Sequence, residues 1–189
     1  MGLFDAFRKE EVANSKVLVC QLGTSSDEFL KLDLRVYKRF YPAASGATFT
    51  TITELRGAAA HGYDILHVFC DAGSGGAITD VSGDRISGTD LLKAAADSGV
   101  KLFWLGNDNS QEAYDAGFKT KGLKMNVVLT LRRLGSNTSL FLDNLLTKMA
   151  TGETFSKAWA VASQPEGKSV QPDVPHTISA LGRGGVVLK

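Results

Sequence analysis

The apolar positions of this chain fall into short continuous runs that alternate with longer segments of helical periodicity. A run of four to eight apolar residues bounded by turn residues is typical of a buried strand. Four runs are clear strand candidates, at residues 16–22, 64–70, 100–105 and 123–131. Residues 47–51 are a weaker candidate, and residues 177–181 and 185–188 offer material for closing strands.

Between these runs, apolar residues recur at the three- and four-residue spacing of an amphipathic helix. The first such segment starts after Gly23-Thr24-Ser25-Ser26 and stops before Pro42. In a later one, Thr89 and Asp90 are candidate N-caps. The helices predicted in this way span residues 27–41, 53–60, 91–96, 110–118, 137–149 and 155–162.

Strands that alternate with helices predict an α/β fold in which a mainly parallel sheet lies between two layers of helices. We expect one domain over residues 15–189, preceded by a short helix or tail over residues 1–14. Residues 71–88 are rich in glycine and are expected to hold a small hairpin, and residues 164–175 to form a loop. The N-terminal residues have the pattern of neither a signal peptide nor a spanning helix.

The net charge and the cysteine positions of the chain limit which partners, metal sites and cellular locations are expected. The chain has 189 residues and a formal net charge of +1, so its overall charge does not indicate nucleic acid as a partner. Cys20 and Cys70 lie in apolar runs, where a thiol acts as a small hydrophobic group, and no Cys/His spacing resembles a zinc site. We therefore expect no cofactor, no membrane span and a reducing, cytoplasmic location.

In a parallel sheet, loops at the carboxyl ends of the strands form the site. Three loops qualify here, at residues 23–26, 71–76 and 107–110. The loop after residue 70 lacks the lysine and hydroxyl of a phosphate-binding Walker motif, and Ser74 lacks the flanking glycine of a nucleophile elbow. The sequence alone therefore places a site at this edge without naming its chemistry.

Two of these loops carry a family pattern. Residues 64–72, Asp-Ile-Leu-His-Val-Phe-Cys-Asp-Ala, line up with D-x-L-H-x-x-x-H-G, and residues 105–110, Leu-Gly-Asn-Asp-Asn-Ser, line up with L-S-A-C-x-T. Residues 126–131 and 152–159 match the next strand and the last long helix of the same pattern. The chain resembles the CHAT domains, which are caspase-like proteases, and the resemblance implies a three-layer caspase-like fold.

The resemblance also implies that the protease chemistry is lost. Its histidine base falls on Asp71 and its cysteine nucleophile on Asp108, and a carboxylate replaces neither group. His67 and Cys70 do not restore the pair, since His67 is most simply a hydrogen-bonded core residue and Cys70 lies within a strand. Residues of a remaining binding site would be His67, Gly73, Ser74, Asn107 and Asn109.

Two functions remain open. The first is a catalytically inactive, CHAT-like pseudo-protease domain that acts as an interaction or scaffold module, with a protease or its own copies as the protein partner. The second is a metal-dependent hydrolase or phosphoryl-transfer enzyme, because Asp71, Asp80, Asp84 and Asp108 could supply hard oxygen ligands to Mg²⁺ or Ca²⁺. The first hypothesis predicts no enzymatic activity, and the second predicts a bound divalent ion.

Overall fold

The structure of the chain is a computed structural model. It describes residues 10–119, 122–133, 136–162, 176–181 and 186–188, with backbone alone at 132, 136, 137 and 176–181. The strands are β1 (Glu10–Val12), β2 (Val17–Leu22), β3 (Ser45–Phe49), β4 (Ile65–Phe69), β5 (Ala77–Thr79), β6 (Arg85–Ser87), β7 (Leu102–Leu105), β8 (Asn126–Arg132), β9 (His176–Leu181) and β10 (Val186–Leu188). The helices are α1 (Asp27–Phe40), α2 (Ile52–Ala59), α3 (Gly88–Asp97), α4 (Gln111–Ala113), α5 (Ser136–Ala150) and α6 (Phe155–Ala162), and a π-helical turn (Tyr114–Phe118) continues α4.

The main sheet has six strands in the order β3-β2-β4-β7-β8-β9. The first five strands are parallel, and β9 runs antiparallel to β8. Strands β5 and β6 form a separate antiparallel hairpin, and β1 pairs in parallel with β10. Among the helices that the structure describes, none is both long enough and apolar enough to cross a membrane.

Helices cover both faces of this sheet, which gives the three-layer α/β architecture expected from the sequence. Side chains of successive strand residues point to opposite faces. Leu66 and Val68 of β4 therefore pack in the layer with α2, α3 and the π-helical turn, whereas Ile65 and Phe69 pack in the layer with α1, α5 and α6. The continuous apolar runs of the sequence reflect this burial on both sides.

Local sequence signals set where the helices begin. The Thr51 side chain accepts a hydrogen bond from the Glu54 amide, and the Glu54 carboxylate accepts one from the Thr51 amide, a capping box that starts α2. Helix α3 starts earlier than predicted, because Ser87 rather than Thr89 or Asp90 is its N-cap. Ser87 can act in this way because it ends β6, so the hairpin leads directly into the helix.

The predicted elements are confirmed wherever the structure describes them, with differences of a few residues at their ends. One strand was missed: residues 10–12, placed in an N-terminal helix or tail, form β1 and pair with β10. The predicted apolar helix face at residues 3–7 and the loop at 164–175 lie outside the described residues. The hairpin expected in the glycine-rich segment is present as β5 and β6.

Gly106, directly after β7, is required by a side chain on the neighbouring strand. A Cβ at this position would lie 2.5 Å from Nε2 of His67 and 2.7 Å from Cε1 of Phe69. Both rings are buried and stacked on each other, with centroids 4.7 Å apart, so neither can move aside without disturbing the core. A side chain at residue 106 is therefore incompatible with the observed position of His67.

We predict that Gly106→Ala lowers the free energy of unfolding by about 1–3 kcal/mol, as overpacking of a close-packed interior does. The matched control is Gly57→Ala, because a Cβ at Gly57 in α2 meets nothing within 4 Å. That change should stabilise the protein by up to about 1 kcal/mol through helix propensity. Urea denaturation measures both, and a Gly106→Ala variant as stable as Gly57→Ala would contradict the packing described.

Candidate functional site

Side chains from three strand-end loops meet at the carboxyl edge of the sheet. The Ser26 hydroxyl, after β2, donates to Oδ1 of Asn107 at 2.8 Å, and Nδ2 of Asn107, after β7, donates to Oδ1 of Asp71 at 2.8 Å. Asp71 follows β4, the strand between the other two. The three polar residues thus form a continuous hydrogen-bonded row across the ends of three adjacent strands.

This row lies where the direction in which successive strands are added to the sheet reverses. The chain passes from β2 to β3 on one side of β2 and then to β4 on the other. In open parallel sheets, loops diverge at such a switch point and leave a crevice in which ligands bind. Topology and side-chain chemistry therefore indicate the same place, the carboxyl ends of β2, β4 and β7.

Asp108 turns toward the other neighbouring strand. Its carboxylate accepts a hydrogen bond from the backbone amide of Arg133, at the end of β8. Asp71 and Asp108 follow adjacent strands, as the sequence predicted, and the structure shows that both are exposed. The residue of the β7 loop that contacts Asp71, however, is Asn107, one position earlier.

Asn109 belongs to the interior of this loop rather than to its exposed surface. It is buried, its backbone amide donates to the Thr130 carbonyl at 3.0 Å, and its Nδ2 donates to the same carbonyl at 3.1 Å. Oδ1 of Asn109 has no hydrogen-bond partner among the described residues. Asn109 thus holds the β7 loop against β8.

Beneath the edge lies a buried polar cluster that the sequence analysis did not find. It consists of Asp33 and Tyr37 of α1, His67 of β4, Arg133 after β8 and Ser139 of α5, and we call it the Asp33 cluster. Both terminal nitrogens of Arg133 donate to the Asp33 carboxylate at 3.0 Å, and the Ser139 hydroxyl donates to Oδ1 of Asp33. The Arg133 guanidinium also lies over Phe29, 4.3 Å from the ring centroid.

One signal in the sequence marks this cluster. Asp33 is a charged residue on the apolar side of α1, at helical spacing from Leu30 and Tyr37. A carboxylate in that position must be paired, because an unpaired buried charge is very costly. The sequence does not reveal which residue pairs with it, since Arg133 lies 100 positions away along the chain.

His67 lies inside the protein and does not reach the exposed edge. Its ring stacks against Phe69 and against Trp104, with centroid distances of 4.7 and 5.2 Å. Its Nδ1 is 3.3 Å from the Tyr37 hydroxyl, and its Nε2 is 3.6 Å from Oδ2 of Asp33. Burial, aided by Arg133 and opposed by Asp33, lowers the pKa of His67 to about 4.

The two cysteines are buried thiols, as predicted. Burial raises the pKa of Cys20 and that of Cys70 far above their ordinary value, so neither forms a thiolate at neutral pH. Cys70 also packs in the layer with α2 and α3, on the sheet face opposite the one toward which His67 points. Cys70 and His67 are therefore not a relocated nucleophile and base.

The remaining acidic candidates do not gather at the edge. Asp80 accepts hydrogen bonds from the amides of Ile52, Ser82 and Asp84, and the bond from Ile52 is the main cause of the lowered pKa of its carboxyl group. Asp80 thus fixes the hairpin to the start of α2, while Asp84 is exposed. Within the described residues, no group of three or more His, Cys, Asp or Glu side chains is placed to hold a metal ion.

Gly73 and Ser74 lie in the exposed loop between β4 and the hairpin. The Gly73 amide donates to the Ala77 carbonyl at 2.9 Å, and the Gly76 amide donates to the Gly73 carbonyl at 2.8 Å. These backbone hydrogen bonds stabilise the turn that leads into the hairpin. Asp71 is therefore the residue of this loop that joins the polar row.

Comparison with known proteins adds little. A scan against protein-family models finds no match, and neither does a search of the curated proteins. Among solved structures, the chain matches apo D-lactate dehydrogenase from Escherichia coli with a TM-score of 0.35 and 15% sequence identity. The match covers 85% of this chain and 44% of the dehydrogenase, so the chain spans less than half of that protein.

We predict that removing one partner of the buried pair is far more damaging than removing both. Asp33→Leu leaves the Arg133 guanidinium buried without its carboxylate and should lower the free energy of unfolding by about 3–5 kcal/mol. Asp33→Leu combined with Arg133→Met should cost much less, because no charge is then left unpaired. Urea denaturation of the single and double variants measures this coupling.

The control is the ion pair between Arg39 and Asp143, in which the Arg39 side chain is 63% exposed. Arg39→Met should cost about 1 kcal/mol or less, as surface pairs do. An Asp33→Leu variant no less stable than Arg39→Met would show that Asp33 does not organise the interior.

Proposed function

We propose that this protein is a catalytically inactive, CHAT-like pseudo-protease domain that acts by binding another protein. The observation that carries the proposal is the state of the two positions that match the protease pair. Asp71 and Asp108 occupy the ends of adjacent parallel strands, and the groups bonded to them are the Asn107 side chain and the Arg133 amide. Carboxylates held in this way offer hydrogen-bond acceptors to a partner.

The state of the thiols and of His67 also supports the proposal. Cysteine catalysis needs a thiolate, and a base within hydrogen-bond reach activates the thiol. Both cysteines are buried, and His67 is a buried ring bonded to Tyr37. The groups that such chemistry would use are thus parts of the core.

The alternative, a metal-dependent hydrolase or phosphoryl-transfer enzyme, has no observation in its favour. Asp80 is occupied by three backbone amides, and Asp84 lies with it in the hairpin. The Asp71 carboxylate accepts a hydrogen bond from the Asn107 side chain, whereas the Asp108 carboxylate accepts one from the Arg133 amide. We therefore assign the edge of the sheet to binding.

A thiol introduced at residue 108 tests the assignment. We predict that Asp71→His combined with Asp108→Cys gives a thiol whose pKa is at least about one unit below that of Asp108→Cys alone. A thiol accepts only weakly from the Arg133 amide that holds Asp108, so it can turn toward an imidazolium on the adjacent strand, which stabilises a thiolate. The rate of alkylation by iodoacetamide as a function of pH measures both values. The native thiols contribute little background because both are buried.

A matched pair of variants shifts the thiol by one residue. Asn107→Cys is made with and without Asp71→His, because Asn107 is the residue in contact with Asp71. A thiol pKa at residue 108 that is lowered by Asp71→His supports the match to the protease pair. If Asp71→His lowers the pKa of the thiol at residue 107 alone, the match to the protease pair shifts by one position. Alkylation profiles that Asp71→His leaves unchanged at both positions would refute the assignment of Asp71.

A further inference from the structure

Strand β3 leaves one side of its backbone open. It is the outermost strand of the sheet and pairs only with β2 among the described strands. The Phe49 carbonyl accepts a hydrogen bond from the Gly23 amide, so Phe49, and by alternation Ala47 and Ser45, direct their backbone groups toward β2. Gly46 and Thr48 therefore direct theirs away from the sheet.

The open part of the edge is short and sharply limited. The next outward amide, that of Thr50, donates to the Glu54 carboxylate at 2.9 Å and is already used. Residues Ser45–Phe49 contain neither a charge nor a proline, the features that usually protect an edge strand from pairing. Ser45, Gly46 and Thr48 are also exposed. This edge thus leaves the outward backbone groups of Gly46 and Thr48 open to pairing.

A row of basic side chains lies beside this edge on α1. Leu34 of α1 lies over Gly46, where a Cβ would be 2.8 Å from Cδ2 of Leu34. Asp33 and Tyr37 face the middle of the sheet. At about 100° per residue, Lys38 and Lys31 lie about 40° and 60° beyond Leu34, on the edge side of the helix, and Arg35 lies about 40° further round, toward solvent.

None of these three cations forms an ion pair with a described residue. The first two are separated by about 6 Å along the helix axis and the last two by about 4.5 Å. Alternate residues of a strand are separated by about 6.6 Å, close to the first spacing and about 2 Å longer than the second, a difference that flexible lysine and arginine side chains can span.

We propose that the edge of β3 binds an extended, acidic segment of a partner protein. The backbone of that segment would pair with Gly46 and Thr48, and acidic side chains at alternate positions would meet Lys31, Arg35 and Lys38. This inference rests on the proposed function and names the chemistry of its partner.

The probe is a synthetic peptide that alternates glutamate with valine and threonine, added to the full-length protein. Fluorescence anisotropy should detect binding that weakens with salt, and a peptide with lysine at every glutamate position should not bind. Amide hydrogen exchange should slow at Gly46 and Thr48 when the acidic peptide is bound. Lys31→Glu combined with Lys38→Glu should weaken binding at least about tenfold.

Two matched controls separate this edge from general effects. Lys93→Glu changes an exposed lysine of α3, on the other face of the sheet, and should leave affinity within about twofold. Thr48→Pro removes an outward-facing amide and the hydroxyl that accepts from Nε2 of Gln21, and it should weaken binding at least about tenfold. Thr48→Val loses the same hydroxyl but keeps that amide, and it should not weaken binding.

Three results would overturn the proposal. The acidic peptide could fail to bind, or bind without slowing exchange at Gly46 and Thr48, or the free protein could be a dimer in which both amides are already protected. The last result would mean that a second copy occupies the edge. The alkylation experiment concerns only residues 71, 107 and 108, so its failure and the failure of this proposal are distinguishable.

Discussion

The buried ion pair between Asp33 and Arg133 is the interaction on which the arrangement of the candidate site depends. It joins the first helix to the end of the fifth parallel strand through two hydrogen bonds of 3.0 Å. Arg133 has a second role, because its backbone amide donates to Asp108. One residue therefore connects the interior beneath the edge with a carboxylate on the exposed edge.

A buried ion pair is not a stabilising device by default, since the cost of desolvating two charges often exceeds their attraction. Its effect here is to fix geometry. Asp33 accepts from Arg133 and Ser139, so α1, β8 and α5 meet in one arrangement. His67 lies against the same carboxylate with a pKa lowered by burial, so its ring stays neutral and supports the packing of Phe69 and Trp104.

Much of the fold could be predicted from the sequence because burial on both faces of a parallel strand leaves a continuous apolar run. Strand β4, Ile65–Phe69, is the clearest example. Strand β1 could not be predicted, since Glu10–Val12 is short, begins with two glutamates and gains its partner from residues 186–188. The N-cap of α3 was misplaced because Ser87 also ends a strand.

The candidate site was predictable in position but not in its contacts. Strand ends followed by polar residues located Asp71, Asn107 and Asp108 at one edge. Which of them touch depends on side-chain direction at the turn, and this selects Asn107 rather than Asp108 as the neighbour of Asp71. The Asp33 cluster required pairing across 100 residues, information that local periodicity does not contain.

His67 lies in the core beneath the candidate site, where burial keeps its ring neutral at neutral pH. Titration of the His67 imidazole by NMR measures this protonation state. We expect a His67 pKa of about 4, lowered chiefly by burial, and therefore a neutral ring at pH 7. A His67 pKa at or above the ordinary value of 6.5 would contradict it.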